Sequence, residues 1–179
     1  VGTGLGAKHN ILIKAAPTLE QVSKIQAIVL DKTGTLTEGK PAITDVIAVE
    51  GLTTDEIIKL DAAAEAKSSH PLSFAVMEEA KRRKLAIPRK VEKFKNLEGH
   101  GVEAYVSDRH VLVGTLKLMK DREVDVSPIQ KEINRLLSEG KTIMVLALDG
   151  KVAGVAGAED PIKPTAKKAI ERMKDIGLE

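Results

Sequence analysis

The sequence predicts a mixed α/β fold in which an antiparallel α+β unit, at about residues 41–155, interrupts two outer pieces. A continuous apolar run at residues 27–30 precedes a polar, glycine-containing loop, which is typical of a strand buried on both faces of a parallel sheet. Further along, Asp149-Gly150 separates two apolar segments and predicts a tight antiparallel hairpin. Helical periodicity in the segments between these strands completes the α/β pattern.

The helices of the middle unit are predicted from their end signals. Thr53 and Glu56 form a capping box that begins a helix running to about residue 67. Pro71 suits the first position of a second helix, because its missing N–H would be unsatisfied there anyway. A third helix begins near Ser127 and ends at Gly140. We expect these helices to cover one face of the antiparallel sheet.

Composition excludes several classes of protein. Aromatic residues make up 2% of the 179 residues, so an aromatic platform for single-stranded nucleic acid is not expected. The absence of cysteine excludes disulfides and thiolate metal sites. No apolar run approaches the roughly 20 residues that span a bilayer, and the net charge is only +2. We therefore expect neither a nucleic acid partner nor membrane contact by this chain itself.

The polar loop after the apolar run carries the clearest chemical signal. Asp31 is predicted to stand at the carboxyl end of a parallel strand, where open α/β sheets bind their ligands. Gly34 allows the backbone to turn, and threonine hydroxyls and loop amides can hold phosphate oxygens. Asp31 can therefore attack a phosphoryl group and form an acyl phosphate. A Mg²⁺ ion, which prefers such oxygen ligands, would screen the two anions.

The loop, three other segments and Glu65 resemble one family. Residues 31–37, DKTGTLT, resemble the phosphorylation loop of the P-type ATPases at all seven positions. Residues 68–72, SSHPL, resemble the Ser-x-His-Pro-Leu signature of the soft-metal (P1B) branch, and Glu65 matches its acidic position. Residues 99–102, GHGV, resemble the nucleotide loop of that branch. Residues 160–163, DPIK, resemble the return of the chain into the phosphorylation domain.

The resemblance implies three parts. Residues 1–40 would comprise the segment after a membrane helix and the first part of a phosphorylation domain. Residues 41–155 would form an inserted nucleotide-binding domain. Residues 156–179 would return into the phosphorylation domain, which would be split, incomplete and of the haloacid dehalogenase type.

The resemblance also implies the site residues of the loop. Asp31 would be the phosphorylated nucleophile, and the rest of the catalytic loop would be Lys32, Thr33, Gly34 and Thr35. Asp31 and Thr33 would hold Mg²⁺, with the remaining magnesium ligand beyond Glu179.

A second set of residues would surround the adenine and ribose of ATP. These residues are Glu65, His70, Gly99, Gly101, Val102, Gly114 and Thr115. His70 could stack on a purine or bond its edge, although a histidine before proline is also a common helix-start residue. Because Glu65 precedes His70 and the glycine loop follows it, contact of His70 with the nucleotide is favoured. Gly99 and Gly101 would permit close backbone approach.

Three details qualify this interpretation. Thr115 stands where the family has asparagine, so the paired donor and acceptor of an amide are lost and modest ATP affinity is expected. His100, between the two glycines, is assigned no role. Residues 140–142, GKT, resemble the end of a phosphate loop, but Arg135 occupies the position that needs glycine, so a Walker A site is rejected.

Thr33 bears on the type of reaction. Hydrolases of the broader superfamily carry a second aspartate two residues after the nucleophile, as general acid and base. Threonine cannot transfer a proton readily at neutral pH, so an acyl phosphate at Asp31 would be long-lived. This suits an ion pump and argues against a phosphatase or phosphotransferase with a large inserted cap. A purely nucleotide-binding module is the third interpretation.

The resemblance finally implies a setting. The longer parent would be a pump for a soft metal ion, copper first, with zinc, cadmium and cobalt open. Its transmembrane and actuator domains would be the partners of this chain, on the cytoplasmic side of a membrane. The fragment alone is expected to bind ATP and Mg²⁺ without efficient turnover.

Overall fold

The computed structural model describes residues 2–179, which divide into two compact units. The inner unit is Glu38–Pro161, and the outer unit combines the chain up to Thr37 with Ile162–Glu179. The helices are α1 (Gly2–Lys8), α2 (Ala16–Val22), α3 (Thr54–Glu65), α4 (Pro71–Arg82), α5 (Leu116–Asp121), α6 (Gln130–Ser138) and α7 (Ala166–Asp175). The strands are β1 (Ala42–Ala48), β2 (Val91–Leu97), β3 (Gly101–Val106), β4 (Arg109–Gly114), β5 (Thr142–Leu148) and β6 (Lys151–Glu159).

The inner unit is built on one six-stranded sheet with the order β1-β6-β5-β4-β3-β2. All neighbouring strands are antiparallel, which confirms the predicted α+β character of this unit. The β5–β6 hairpin turns at Asp149 and Gly150, whose φ angles are 52° and 80°. Positive φ at both central residues is the geometry that the Asp-Gly pair predicts.

Helices pack on both faces of this sheet, so the expectation that they cover one face was wrong. Ile57 of α3 and Val76 of α4 pack with Val111 and Val113 on one side. On the other side, Leu136 of α6 packs with a cluster that includes Leu112. Successive residues of a strand point to opposite faces, and both sets in β4 are apolar. The continuous apolar sequence of β5 carries the same signal of two-sided burial.

The two ends of the inner unit lie side by side. Strand β1 pairs with β6 along its length, from Ala42 opposite Glu159 to Ala48 opposite Gly154. Beyond the strands, the Glu38 N–H donates to the Pro161 carbonyl at 2.9 Å. A domain boundary after residue 155, as the sequence suggested, would pass through β6.

The apolar run of the outer unit is not the buried strand that the sequence predicted. Residues 27–30 form no regular strand, and Val29 is 98% exposed. Two backbone hydrogen bonds of 2.9 Å link this segment to the last residue, from Ile28 N–H to the Glu179 carbonyl and from Glu179 N–H to the Gln26 carbonyl. Within residues 2–179 no strand pairs along it, and without such a neighbour residues 27–29 stay exposed and Leu30 is only half-buried.

One carboxyl group of the inner unit is buried without a partner. Helix α3 begins as predicted, because the Thr53 hydroxyl accepts the Glu56 N–H and the Glu56 carboxylate accepts the Thr53 N–H. Two turns later Asp61 is 1% exposed, and its Oδ1 has no hydrogen-bond partner among the described residues. Burial, and secondly the charge of Glu65, raise the pKa of Asp61 well above its usual range.

Replacing Asp61 is expected to stabilise the protein at neutral pH. In the unfolded chain Asp61 ionises near its ordinary pKa of about 3.9, whereas in the folded protein it keeps its proton to higher pH. The stability therefore falls as pH rises from that unfolded value towards the folded one. Asp61→Ala should add about 1–3 kcal/mol to the free energy of unfolding at pH 7, since it removes an unsatisfied buried group.

Urea denaturation at pH 5 and pH 8 provides the measurement. Asp61→Asn keeps the shape of the side chain but cannot titrate, so it should flatten the pH dependence with a smaller gain. Glu78→Gln is the control, because the Glu78 side chain is 76% exposed. If Asp61→Asn and the unmodified chain lose the same stability between the two pH values, the pKa of Asp61 is not raised in the folded protein.

Candidate functional site

A cavity of about 250 Å³ lies in the inner unit where α3, α4 and the ends of four strands meet. It is lined by all seven residues that the resemblance assigns to a nucleotide: Glu65, His70, Gly99, Gly101, Val102, Gly114 and Thr115. These positions span 51 residues of sequence, from 65 to 115. The fold thus brings the predicted binding residues into one site.

Further lining residues were missed by the sequence analysis. They are Ser68, Leu72, Asn96, Leu97, His100, Thr142, Ile143 and Met144. Ser68 and Leu72 belong to the SSHPL segment but were given no role of their own. His100 was considered and assigned no role, yet it lies between Gly99 and Gly101 and lines the cavity with them. Thr142, Ile143 and Met144 begin β5, and only the sheet order brings them here. Thr142 ends the GKT segment, for which a Walker A site was rejected, and no local motif marks Ile143 or Met144.

Two glycines shape one wall of the cavity through their contact with each other. Gly101 of β3 pairs with Gly114 of β4. A Cβ added at Gly101 would collide with the backbone of Val113 and Gly114, and one added at Gly114 would collide with the His100 carbonyl. At Gly101 and Gly114, the absence of a side chain therefore allows two strands to pack closely against each other. Gly99, by contrast, faces open space and has a φ of 69°, which favours glycine.

Glu65 is the most deeply buried polar group of the cavity, at 6% exposure. Its Oε2 accepts a hydrogen bond from the hydroxyl of Ser73, which is itself buried on α4. The Ser73 hydroxyl also lies 2.8 Å from the Ser68 hydroxyl at the cavity wall. This chain of hydrogen bonds holds the carboxylate in place and joins the end of α3 to the beginning of α4.

His70 caps a helix, as a histidine before proline commonly does, and it also lines the cavity. Its Nδ1 accepts the N–H of Leu72 at 3.2 Å, with Pro71 at the first position of α4. The His70 N–H lies 3.3 Å from the Ser68 hydroxyl. The ring is exposed rather than packed into the core, so its faces and its Nε2 stay accessible.

Thr115 caps α5 in a similar way. Its hydroxyl accepts the Leu118 N–H at 3.2 Å, and its own N–H donates to the His100 carbonyl at 2.9 Å. The hydroxyl therefore uses one of its two lone pairs for the cap, and it keeps its hydrogen and the other lone pair for a ligand.

The DKTGTLT loop, residues 31–37, belongs to the outer unit. Asp31, Lys32, Thr33, Gly34 and Thr35 are all exposed, and Gly34 turns the backbone with a φ of 76°. Two hydrogen bonds of 3.1 Å close the turn, from the Gly34 N–H to the Thr37 hydroxyl and from that hydroxyl to the Lys32 carbonyl.

The loop is also fixed by the segment that follows β6. Lys163 donates its backbone N–H to the Leu36 carbonyl at 2.8 Å and its Nζ to the Gly34 carbonyl at 2.7 Å. Thr37 forms an antiparallel bridge with Ile162. The DPIK segment therefore supports the turn that presents Asp31, although the two are about 130 residues apart in sequence.

The loop offers the ligand chemistry that Mg²⁺ requires. The Asp31 carboxylate and the Thr33 hydroxyl are hard oxygen donors, both accessible on one short turn. Among residues 2–179 no group of three or more His, Asp or Glu could hold a metal ion by itself.

Residues 25–179 match the family model of the haloacid dehalogenase-like hydrolases. The chain belongs to this family. The matched region includes the loop with Asp31 and every residue of the cavity. The mixed α/β fold predicted from the sequence is confirmed. None of the helices described in residues 2–179 has both the length and the apolar character needed to cross a membrane.

Individual relatives are P-type ATPases. The chain is 39% identical over 178 residues to the copper-exporting P-type ATPase of Bacillus subtilis (strain 168), covering 99% of this chain and 22% of that protein. It is 38% identical to copper-transporting ATPase 1 of Rhizobium meliloti (strain 1021), covering 99% and 21%. The chain therefore spans about a fifth of the length of the curated relatives it matches.

Solved structures give the same picture. A zinc-transporting PIB-type ATPase in the E2.Pi state matches with a TM-score of 0.84 and 32% identity, covering 99% of this chain and 28% of that one. The catalytic domain of the CPx-ATPase CopB-B matches with a TM-score of 0.69 and 26% identity, covering 94% and 57%. The N-domain of HMA6, a copper-transporting P-type ATPase, matches with a TM-score of 0.55 and 26% identity, covering 67% and 99%.

Gly114→Ala is expected to destabilise the wall of the cavity. The added methyl group meets the His100 carbonyl and the Gly101 Cα, which are backbone atoms that cannot rotate away. Strands β3 and β4 must separate, at a cost of about 1–3 kcal/mol. Urea denaturation measures the loss, and hydrogen exchange should show faster exchange in β3 and β4.

Gly150→Ala is the matched control for this substitution. Gly150 has a φ of 80° with open space around it, so its replacement causes backbone strain without a collision. It should leave the exchange of β3 and β4 unchanged. A Gly114→Ala protein with unaltered stability and exchange would contradict the packing described here.

Proposed function

We propose that this chain is the ATP-binding and phosphorylation portion of a P-type ATPase of the soft-metal branch. The observation that carries the proposal is the meeting of seven expected nucleotide residues in one cavity. The names of the curated relatives and solved neighbours support it, since these are P-type ATPases, including PIB-type and CPx-type members. The parent would couple ATP hydrolysis to ion transport through a phosphorylated Asp31.

The cavity suits the nucleoside part of ATP. Its volume of about 250 Å³ is slightly below the roughly 300–1,000 Å³ of drug-sized pockets, which leaves the triphosphate outside. Leu72, Val102, Ile143 and Met144 provide apolar contacts for a purine ring. Glu65 at the buried end is an acceptor for a base amino group, and the exposed ring of His70 can stack on the base.

At the loop, Asp31 would attack the γ-phosphorus of ATP. A bond forms between a carboxylate oxygen and phosphorus while the bond to the leaving ADP oxygen breaks, which gives an acyl phosphate. Asp31 and Thr33 would hold Mg²⁺, which screens the charges of carboxylate and phosphate when bound. Lys32, Gly34 and Thr35 would contribute the rest of the phosphate-binding turn. Thr33 provides no proton transfer, so the acyl phosphate would persist.

The three parts of the chain are proposed to keep their predicted order, with the boundaries of the middle part moved from residues 41 and 155 to the ends of the inner unit. Glu38–Pro161 would be the nucleotide-binding domain, and the residues before and after it would belong to the phosphorylation domain. The match with the HMA6 N-domain supports this, because it covers 99% of that domain and 67% of this chain. The partners would be the transmembrane and actuator domains of the same longer polypeptide, on the cytoplasmic side of the membrane.

Copper is the proposed transported ion. The relatives from Bacillus subtilis and Rhizobium meliloti are named as copper transporters, which supports copper. A zinc-transporting ATPase is among the similar structures, so zinc is the alternative ion.

Calorimetric titration with ATP tests the nucleotide site. The unmodified chain should bind ATP, with modest affinity because Thr115 replaces asparagine, and His70→Ala should weaken binding by roughly tenfold through loss of base stacking. His70→Ala also removes the cap of α4, so His70→Asn is the matched variant, since asparagine caps a helix well. If His70→Asn binds ATP like the unmodified chain, His70 acts through the helix alone.

Phosphatase assays separate the pump portion from a free hydrolase. With p-nitrophenyl phosphate and Mg²⁺, the unmodified chain and Asp31→Asn should both show only background hydrolysis, because Thr33 supplies no general acid. Steady turnover that disappears in Asp31→Asn would favour the phosphatase or phosphotransferase with an inserted cap.

A further inference from the structure

Two histidines line the cavity, and each has its Nδ1 in a hydrogen bond with the backbone. His70 lies at the beginning of α4 and His100 in the turn between β2 and β3. The chemical nature of the backbone partner decides which ring nitrogen carries the hydrogen. The two partners are of opposite kinds, so the two rings present opposite groups to a ligand.

His70 is fixed as a donor. Its Nδ1 lies 3.2 Å from the backbone nitrogen of Leu72, which is a donor. Nδ1 must therefore carry the lone pair, and the hydrogen of the neutral ring is on Nε2. A ligand at His70 meets either the face of the ring or an N–H group.

His100 is fixed as an acceptor. Its Nδ1 lies 2.7 Å from the carbonyl oxygen of Glu98, which can only accept. Nδ1 therefore carries the hydrogen, and in the neutral ring the lone pair is on Nε2. Among residues 2–179 no group is hydrogen-bonded to this Nε2. The His100 ring thus has one unused acceptor.

The position of His100 is held by the backbone as well as by the ring. Its N–H donates to the Leu97 carbonyl at 2.8 Å, and its carbonyl accepts the Thr115 N–H at 2.9 Å. The packing of Gly114 against the same carbonyl leaves little freedom for this residue. An acceptor fixed before the ligand arrives costs little entropy on binding.

The degree of burial of His100 indicates which part of a bound nucleotide it can contact. His100 and Glu65 both line the cavity, and His100 is half-buried, whereas Glu65 is deeper at 6% exposure. A base inserted towards Glu65 leaves its sugar near the mouth. Phosphate oxygens accept hydrogen bonds and are repelled by a second acceptor, so they do not suit the Nε2 lone pair. The donors of a ribose are its 2′ and 3′ hydroxyls.

We propose that His100 accepts a hydrogen bond through Nε2 from a ribose hydroxyl of the bound nucleotide, which makes it a specificity-determining residue for ribonucleotides over deoxyribonucleotides. This inference rests on the proposed binding of ATP in the cavity. It gives a function to a side chain for which the sequence analysis found none.

Calorimetry with three nucleotides and three proteins tests the assignment. The ligands are ATP, 2′-deoxyATP and 3′-deoxyATP, and the proteins are the unmodified chain, His100→Ala and His100→Gln. The unmodified chain should bind ATP roughly 3- to 10-fold more tightly than one of the deoxy analogues, as expected for one hydrogen bond. His100→Ala should reduce this ratio to about 1, because the acceptor is gone. His100→Gln should restore part of the ratio, because its amide oxygen can accept.

The controls separate this inference from the proposal on which it rests. His9→Ala removes an exposed histidine of the outer unit and should leave all three affinities unchanged. If the unmodified chain binds no ATP, both proposals fall. If it binds ATP but shows no preference over either analogue, or the same preference after His100→Ala, the role of His100 is overturned and the ATP site stands. Circular dichroism of each variant shows whether the fold is retained.

Discussion

The cavity depends on the contact between the backbones of Gly101 and Gly114. These residues face each other across β3 and β4, and neither position has room for a Cβ. Their contact brings the β2–β3 turn against the beginning of α5, where the Thr115 N–H bonds the His100 carbonyl. One wall of the site is therefore set by the closest distance at which two strands can pack, and the side chains around it take their positions from that wall.

The same groups serve the fold and the site. His70 caps the beginning of α4, and Thr115 caps the beginning of α5. Both residues also line the cavity. Glu65 and Ser73 join the two helices through a buried hydrogen bond. Because these polar groups already have partners in the protein, the positions of the His70 ring and the Glu65 carboxylate are set before a ligand binds. A site of this kind is preorganised by ordinary helix ends.

Local signals in the sequence predicted much of this arrangement. The Asp149-Gly150 turn, the Thr53–Glu56 capping box and the helix start at Pro71 depend on neighbouring residues, and all three were confirmed. The second helical layer and the lack of a buried strand at residues 27–30 were not predicted, because burial depends on which distant strand lies alongside.

The seven cavity residues could be named only through a family resemblance. His100 illustrates what remained beyond reach. Its ring hydrogen is decided by the Glu98 carbonyl two residues away, and its exposure by the packing of β4 on β3. Neither relation follows from the residue types alone, since both require the path of the backbone.

The pairing of the two ends of the inner unit has a consequence for how such a unit joins other chains. Glu38 and Pro161 are 123 positions apart, yet their backbones share a hydrogen bond of 2.9 Å. The two ends of the whole unit are therefore as close together as the two ends of a tight loop. For a flexible segment, the entropic cost of bringing its two ends together grows with its length. In this unit the pairing of β1 with β6 already holds the ends together. A unit with this geometry can be carried within a surface loop of another domain, or removed from it, without a change in the spacing of the surrounding chain.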